Sequence, residues 1–234
     1  MEISHYLAMT AAEIAQESDL PRKLAYMACH FSPYATGISN IPDTLPPSSM
    51  LILNDRMPIC GHDPERITEQ LCRTVDALRC DSVLLDFQRS DQSETATLCE
   101  KLVQSLPCQT AVSHLYAASL SCPVFLPPPT LDQQLEAHLK PWSDRPIWLE
   151  AALEQICITV SPQGSCYQAL IYDPLTEEPF IDEALCCCYR TEVLSNEIRF
   201  HLKRTPSQLK ILLDRAQALG IEKTVGLYQQ LGKV

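Results

Sequence analysis

The sequence predicts an α/β fold, a small (β/α)8 TIM-like barrel with a β-rich insertion in its C-terminal half. Three observations predict it. Short apolar runs recur along the chain and end in polar residues, as buried parallel strands do. Segments with apolar residues at helical spacing separate several of these runs. Toward the C-terminus the alternation gives way to runs joined by turn signals, which read as hairpins inserted at about 155–192. The length, 234 residues, suits a barrel built as one domain over 1–234.

The elements follow in order. Residues 8–17 read as a short helix, and 24–30 (Leu-Ala-Tyr-Met-Ala-Cys-His) as a first buried strand. The Pro- and Ser-rich connection at 32–49 is long enough to shape a site. Residues 50–53 form a second strand ended by Asn54-Asp55. Asp63-Pro64 opens a helix, since the missing proline N–H costs nothing in a first turn, and Ile67, Leu71, Val75 and Leu78 recur along one face. A third strand at 83–87 is followed by a helix from Ser93-Glu94 with Leu98, Leu102 and Leu106 aligned. Strands four and five fall at 110–115 and 124–126, a helix at 131–139 follows three prolines, and Ile147-Trp148-Leu149 is a sixth strand ended by Glu150. Segments 156–160, 167–172 and 185–189 form the insertion, with turns at Pro162-Gln163-Gly164 and Asp173-Pro174. Residues 198–202 are expected as the seventh strand. A helix at 206–219, capped by Thr205 and stopped by Gly220, leads to an eighth at 224–228.

Composition sets aside several function classes. Lys and Arg number 18 against 29 Asp and Glu, a net charge of −11, and no dense basic cluster occurs. Nucleic acid and anionic membrane are therefore not expected partners. No apolar run is long enough to span a membrane. Met1-Glu2-Ile3-Ser4-His5 has no basic region leading into an apolar core, so no signal peptide is read and a cytoplasmic location is expected. None of the six glycines belongs to a phosphate-cradling pattern. The twelve cysteines include no C-x-x-C pair and mostly lie in apolar segments, where a thiol behaves as a small hydrophobe. Cys186, Cys187 and Cys188 alternate faces on a strand and cannot offer three thiolates to one metal. Neither a cofactor nor a metal is expected.

In a parallel barrel the chemistry lies where strands end. The residues at those ends are His30, Asn54, Asp55, Asp86, Gln88, His114, Glu150, His201, Tyr228 and Gln229. Leu84, Asp86 and Gln88 share one face of their strand, and Val83, Leu85 and Phe87 the other. Asp86 and Glu150 are the expected catalytic carboxyls. Gln88, His30, Asn54, Asp55, His114, Tyr228 and Gln229 are expected ligand contacts. Structural alternatives stand beside each: a helix cap or loop anchor for Asp86, a turn for Asn54-Asp55, a salt bridge for Glu150. The stretch His30-Phe31-Ser32-Pro33-Tyr34 offers aromatic faces suited to flat ligands or to its own packing. His30, His114 and His201 lack local ligand spacing and are not read as a metal site.

Residues 67–106 resemble the central β/α unit of chitinase-type glycoside hydrolases, including their spore-cortex-lytic relatives. That family's motif runs Asp-Gly-x-Asp-x-Asp-x-Glu at the end of a barrel strand. Asp81 matches its first acid and Asp86 its third, while Ser82 replaces the glycine, Leu84 the middle acid and Gln88 the catalytic glutamic acid. The tail, from Thr205-Pro206-Ser207 to Gly226-Leu227-Tyr228-Gln229-Gln230-Leu231-Gly232, is similar to the family's last helix and strand, and Tyr172-Asp173 echoes its Tyr-Asp pair. By the count above the motif lies on the third strand, one short of the family's fourth.

The resemblance implies a mechanism. The glutamic acid protonates the glycosidic oxygen, the substrate's acetamido group attacks, and the middle acid steers that group, an exception to the two-carboxylate scheme. A glutamine amide gives up no proton near neutral pH, and losing a positioned acid removes roughly 10²- to 10⁴-fold in rate. The expectation is therefore a glycoside-hydrolase-like barrel inactive by the family route, with Gln88 free to hydrogen-bond a carbohydrate ligand. Two alternatives stay open. One is an active hydrolase using Asp86 and Glu150, if they lie about 5–10 Å apart. The other is a non-catalytic assembly or scaffold protein.

Overall fold

The first strand lies ahead of the first helix. In Ser4–Met9 (β1), Tyr6 and Ala8 alternate with Met9 and the preceding Ile3, and the two sets are buried in different cores. Thr10 then caps Ala11–Gln16 (α1), accepting from the Glu13 N–H while its own N–H donates to the Glu13 carboxylate. The expected helix at 8–17 is thus shorter, and a strand that was not expected precedes it. The computed structural model describes residues 3–34, 36–59, 61–89, 93–169 and 180–232.

The chain continues with strands Leu24–Phe31 (β2), Ile38–Ser39 (β3) and Met50–Asn54 (β4), then helix Pro64–Leu78 (α2) and strand Ser82–Asp86 (β5). Helix Ser93–Ser105 (α3), strands Gln109–Ser113 (β6) and Val124–Leu126 (β7), the short helix Leu135–Leu139 (α4) and strand Ile147–Ala151 (β8) follow. Gln155–Ser161 (β9), Gly164–Ala169 (β10), Phe180–Asp182 (β11), Cys187–Val193 (β12) and Ile198–Lys203 (β13) form a separate antiparallel sheet. Helix Pro206–Ala218 (α5), strand Lys223–Leu227 (β14) and the single turn Tyr228–Leu231 (α6) end the chain.

Eight parallel strands close into a ring in the order β1, β2, β4, β5, β6, β7, β8, β14, and β14 pairs back onto β1. This is a (β/α)8 TIM-like barrel. Two corrections follow. Residues 198–202 do not form the seventh barrel strand, because β13 lies antiparallel between β9 and β12. The vacated place in the count belongs to β1, which makes β5 the fourth strand of the ring. The Asp81–Gln88 motif therefore falls on the strand where the resembled family carries it.

The strands sort their side chains by alternation. Tyr6, Ala25, Met50, Ile52, Leu84, Phe125, Trp148 and Val225 fill the barrel interior. Val83, Leu85 and Phe87 face outward against a second core built with Ile67, Leu71 and Val75 of α2 and Leu98 and Leu102 of α3. The interior is packed side chain rather than pore, so only its C-terminal mouth is open to a ligand. The long connection before β4 is pinned to α2 by the Gln70 amide. Its oxygen accepts from the Ile38 N–H at 2.8 Å and its nitrogen donates to the Ile38 carbonyl at 3.1 Å.

The antiparallel insertion runs in the order β10-β9-β13-β12-β11 and extends to Lys203, past the expected 192. It leaves the barrel after β8 and returns before α5, resting on Leu131 through Ile158, Cys187 and Leu202. At its neck the fully buried Arg204 donates to Glu154 at 2.8 Å and to the Pro129 carbonyl at 3.0 Å. Part of the expected 167–172 segment, with Tyr172-Asp173 and the Asp173-Pro174 turn, lies outside the described residues. Among the described residues no helix is long and apolar enough to cross a membrane, and no group of three or more His, Cys, Asp or Glu is placed to hold a metal ion.

Candidate active-site cavity at the barrel mouth

Where β4, β5, β6 and β8 end, Asn54, Asp86, Gln88, His114 and Glu150 surround a cavity of about 350 Å³. Its floor is the apolar interior, with Ile52, Leu84, Phe125 and Val225. The arrangement follows from period two: Leu84 is buried in the barrel, and Asp86 and Gln88 rise above it on the same face.

The Gln88 amide nitrogen donates to Asp86 Oδ1 at 2.5 Å, which leaves the exposed amide oxygen for a ligand. Asp86 itself is half-buried. Burial raises its pKa, the Gln88 bond opposes the rise, and the Asp55 charge adds to it. On β8, Glu150 is pushed up to about 7, first by burial and then by the negative charges of Asp86 and Glu154. Two carboxyls thus share one cavity and repel, and the deeper effect falls on Glu150. Burial also lowers the pKa of His114, which favours a neutral imidazole at neutral pH.

Other expected site residues have structural work. Asp55 is buried, at 4% exposure, and its carboxylate accepts from the N–H groups of Gln88 and Arg89 at 3.0 and 2.8 Å. It therefore ties the loop after β4 to the loop after β5 instead of facing the cavity. Asn54 lines the cavity, but its amide donates to the Met27 carbonyl and accepts from the Arg56 N–H, both at 3.1 Å. His30 engages the Phe31 carbonyl and the Asn40 amide through its two ring nitrogens and lines a neighbouring groove. Tyr228 and Gln229 are placed outside the cavity, on α6, with Tyr228 toward Glu17 and Gln229 toward Glu13. His201 lies on β13, away from the mouth, beside Glu192.

The aromatic stretch divides. Phe31 is buried, with its ring centroid 5.5 Å from those of His62 and Phe87, whereas Tyr34 is 84% exposed. Asp81, aligned with the family's first acid, sits at the opposite end of the barrel. There it accepts from Tyr6, Lys23 and Ser82. Burial favours its neutral form, but these hydrogen bonds and the Lys223 charge hold the carboxyl below its ordinary range. Its position makes it a clamp on the barrel floor rather than a catalytic group.

Sequence reasoning passed over Met27, Phe125, Arg56 and Arg89. Phe125 was legible as the inward residue of a three-residue strand. The arginines directly follow the polar strand ends Asn54-Asp55 and Gln88.

No protein-family model matches the chain, and no curated protein sequence does. Solved structures do. The Bacillus cereus spore cortex-lytic enzyme SleL superposes with a TM-score of 0.62 at 9% identity, over 96% of this chain and 70% of that one. A glycoside hydrolase family 18 N-acetylglucosaminidase from Paenibacillus barengoltzii gives 0.60 at 9% identity, over 96% of this chain and 94% of that one. A doubly substituted family 18 chitinase from Cycas revoluta, one change being Glu to Gln, in complex with (GlcNAc)4, gives 0.59 at 10% identity, over 97% and 96%. At such identity the likeness speaks for architecture, and this chain has the chitinase-type glycoside hydrolase fold.

Proposed function

We propose that the barrel mouth binds an N-acetylated oligosaccharide without hydrolysing it by the chitinase route. The observation that carries this reading is the place of Gln88. It stands at the end of the fourth barrel strand, where the resembled motif has its glutamic acid, with its amide nitrogen held by Asp86. An amide there binds but does not protonate a leaving oxygen. The position of the middle acid is also apolar, since Leu84 is 1% exposed in the interior. The motif's middle acid is therefore missing as well, while Asp86 keeps a carboxyl beside Gln88 in the cavity. The neighbour crystallised with (GlcNAc)4 carries a Glu-to-Gln change of its own, so a barrel of this fold with such a change still holds an N-acetylated oligosaccharide.

A second reading is favoured by Glu150. A carboxyl pushed up to about 7 that shares a cavity with a second carboxyl, Asp86, is the kind of pairing in which one group donates a proton and the other carries charge. Calorimetry with chitotetraose, run beside release of 4-nitrophenol from its chitooligosaccharide glycosides, separates the two. Binding with turnover at background is the expected result. Turnover that falls at least about 100-fold in Glu150→Gln, and declines above pH 7, would replace the binding reading with the hydrolase one. Absence of both binding and turnover would end the carbohydrate reading and favour an assembly role.

A further inference from the structure

The cavity does not end at Gln88. Through Met27, Asn54, Asp86 and Gln88 it continues into a shallower groove of about 710 Å³, which reaches His30, Arg56 and Arg89 over the ends of β2 and β4. The two limbs differ in charge. The inner limb carries Glu150 and Asp86, and the outer limb carries two exposed arginines in a molecule whose net charge is −11.

The arginines are held in ways that fit recognition. Arg89 donates through Nε to the Asp55 carbonyl and through Nη2 to the Arg56 carbonyl, both at 2.8 Å, which fixes the guanidinium plane. Among the described residues the Arg56 side chain enters no hydrogen bond or ion pair. The adjoining carboxylate of Asp55 is buried and engaged by the N–H groups of Gln88 and Arg89. His30 already uses both ring nitrogens, and Asp86 lies where the limbs meet. The groove thus presents guanidinium N–H groups one limb away from the sugar position at Gln88.

We propose that this outer limb reads an anionic substituent, so that the preferred ligand is an acidic N-acetylated oligosaccharide rather than a neutral one. The inference rests on the carbohydrate reading of the cavity and adds the class of sugar. A guanidinium matches the two oxygens of a carboxylate, or two of a sulfate, through paired N–H donors.

Calorimetry at low salt with three probes tests it: neutral chitotetraose, a hyaluronan tetrasaccharide bearing carboxylates, and chitotetraose bearing 6-O-sulfates. An acidic probe is expected to bind about three- to tenfold tighter than the neutral one, with the margin shrinking in 0.5 M salt. The better of the two acidic probes identifies the anion. Arg56→Gln is expected to bring the ratio close to one and Arg56→Lys to keep part of it. Because the Arg56 side chain makes no hydrogen bond or ion pair among the described residues, neither change removes such a bond there. Equal binding of all three probes, or a preference that survives Arg56→Gln, would overturn the proposal and leave the carbohydrate reading standing. Binding of none would overturn both.

Discussion

Glu150 is the residue whose environment has the clearest thermodynamic consequence. Its carboxyl titrates at about 7 in the folded chain against an ordinary value of 4.5, chiefly from burial. The folded state therefore holds an extra proton between those two values, and stability falls as pH rises through that window. Below it Glu150 is neutral in both states and costs nothing. Above it the folded chain carries a charge it does not solvate well. Replacing Glu150 by glutamine keeps the shape of the protonated form and removes that charge. Glu150→Gln is expected to match the unaltered chain at about pH 4 and to exceed it by roughly 1–3 kcal/mol at pH 8, measured by urea unfolding. Equal stability at pH 8 would mean that the carboxylate is well solvated. The same residue shows why part of the site was legible from sequence. Glu150, like Asp86 and Gln88, lies on an inward face that begins with a large apolar residue, and period two carries it to the mouth. Tyr228 and Gln229 failed the same rule because β14 ends at Leu227 and the chain turns onto α6 before they can face inward. Asp55 is one step off the inward phase of β4, and its chemistry is accordingly spent on loop amides.

Among elements, the neck of the insertion concentrates the largest local stake. Arg204 has no exposure and Glu154 keeps 32% of its side chain in water. Burial raises Glu154 and lowers Arg204 despite their mutual attraction, so desolvation outweighs the pairing for both. Such a pair adds little net stability, but breaking it from the acidic side strands a guanidinium in the interior. Glu154→Ala is expected to cost about 3–5 kcal/mol. Arg204→Met, which leaves a carboxylate able to reach water, is expected to cost less. Urea unfolding of the two variants gives the ordering, and a reversal would mean that Arg204 matters through its bond to Pro129. Two elements at this scale were misread from sequence for physical reasons. In β13, Ile198, Phe200 and Leu202 alternate with Arg199, His201 and Lys203, the two-faced pattern of an antiparallel sheet, whereas β5 is apolar on both faces. In the N-terminal segment the Thr10…Glu13 capping box places the helix start at Ala11, and the preceding alternation then reads as a strand.

At the scale of the whole molecule, β1 decides whether the barrel is a ring. It pairs with β14 on one side and β2 on the other, and the remaining barrel strands follow in unbroken order. Its side chains serve both layers. Tyr6 and Ala8 pack in the interior, Ile3 and Met9 pack outside, and the Tyr6 hydroxyl donates to Asp81 at 3.0 Å on the barrel floor. A chain beginning at Thr10 would keep every other strand and would expose two facing sheet edges, on β2 and β14. Exposed parallel edges recruit other chains, and an opened ring removes the wall that holds Val225 and Leu227 against the cavity. That truncation is expected to lose the cooperative thermal transition and to elute as higher-order species in size exclusion. Tyr6→Phe, which sacrifices only the hydroxyl's bonds to Asp81 and Lys23, is expected to remain monodisperse like the unaltered chain and to lose about 1 kcal/mol. A truncated chain that still unfolds cooperatively, within a few degrees of the full one, would mean that the other seven strands close the sheet on their own. The mouth would then owe its shape to the loops at Asp55 and Gln88 rather than to ring closure.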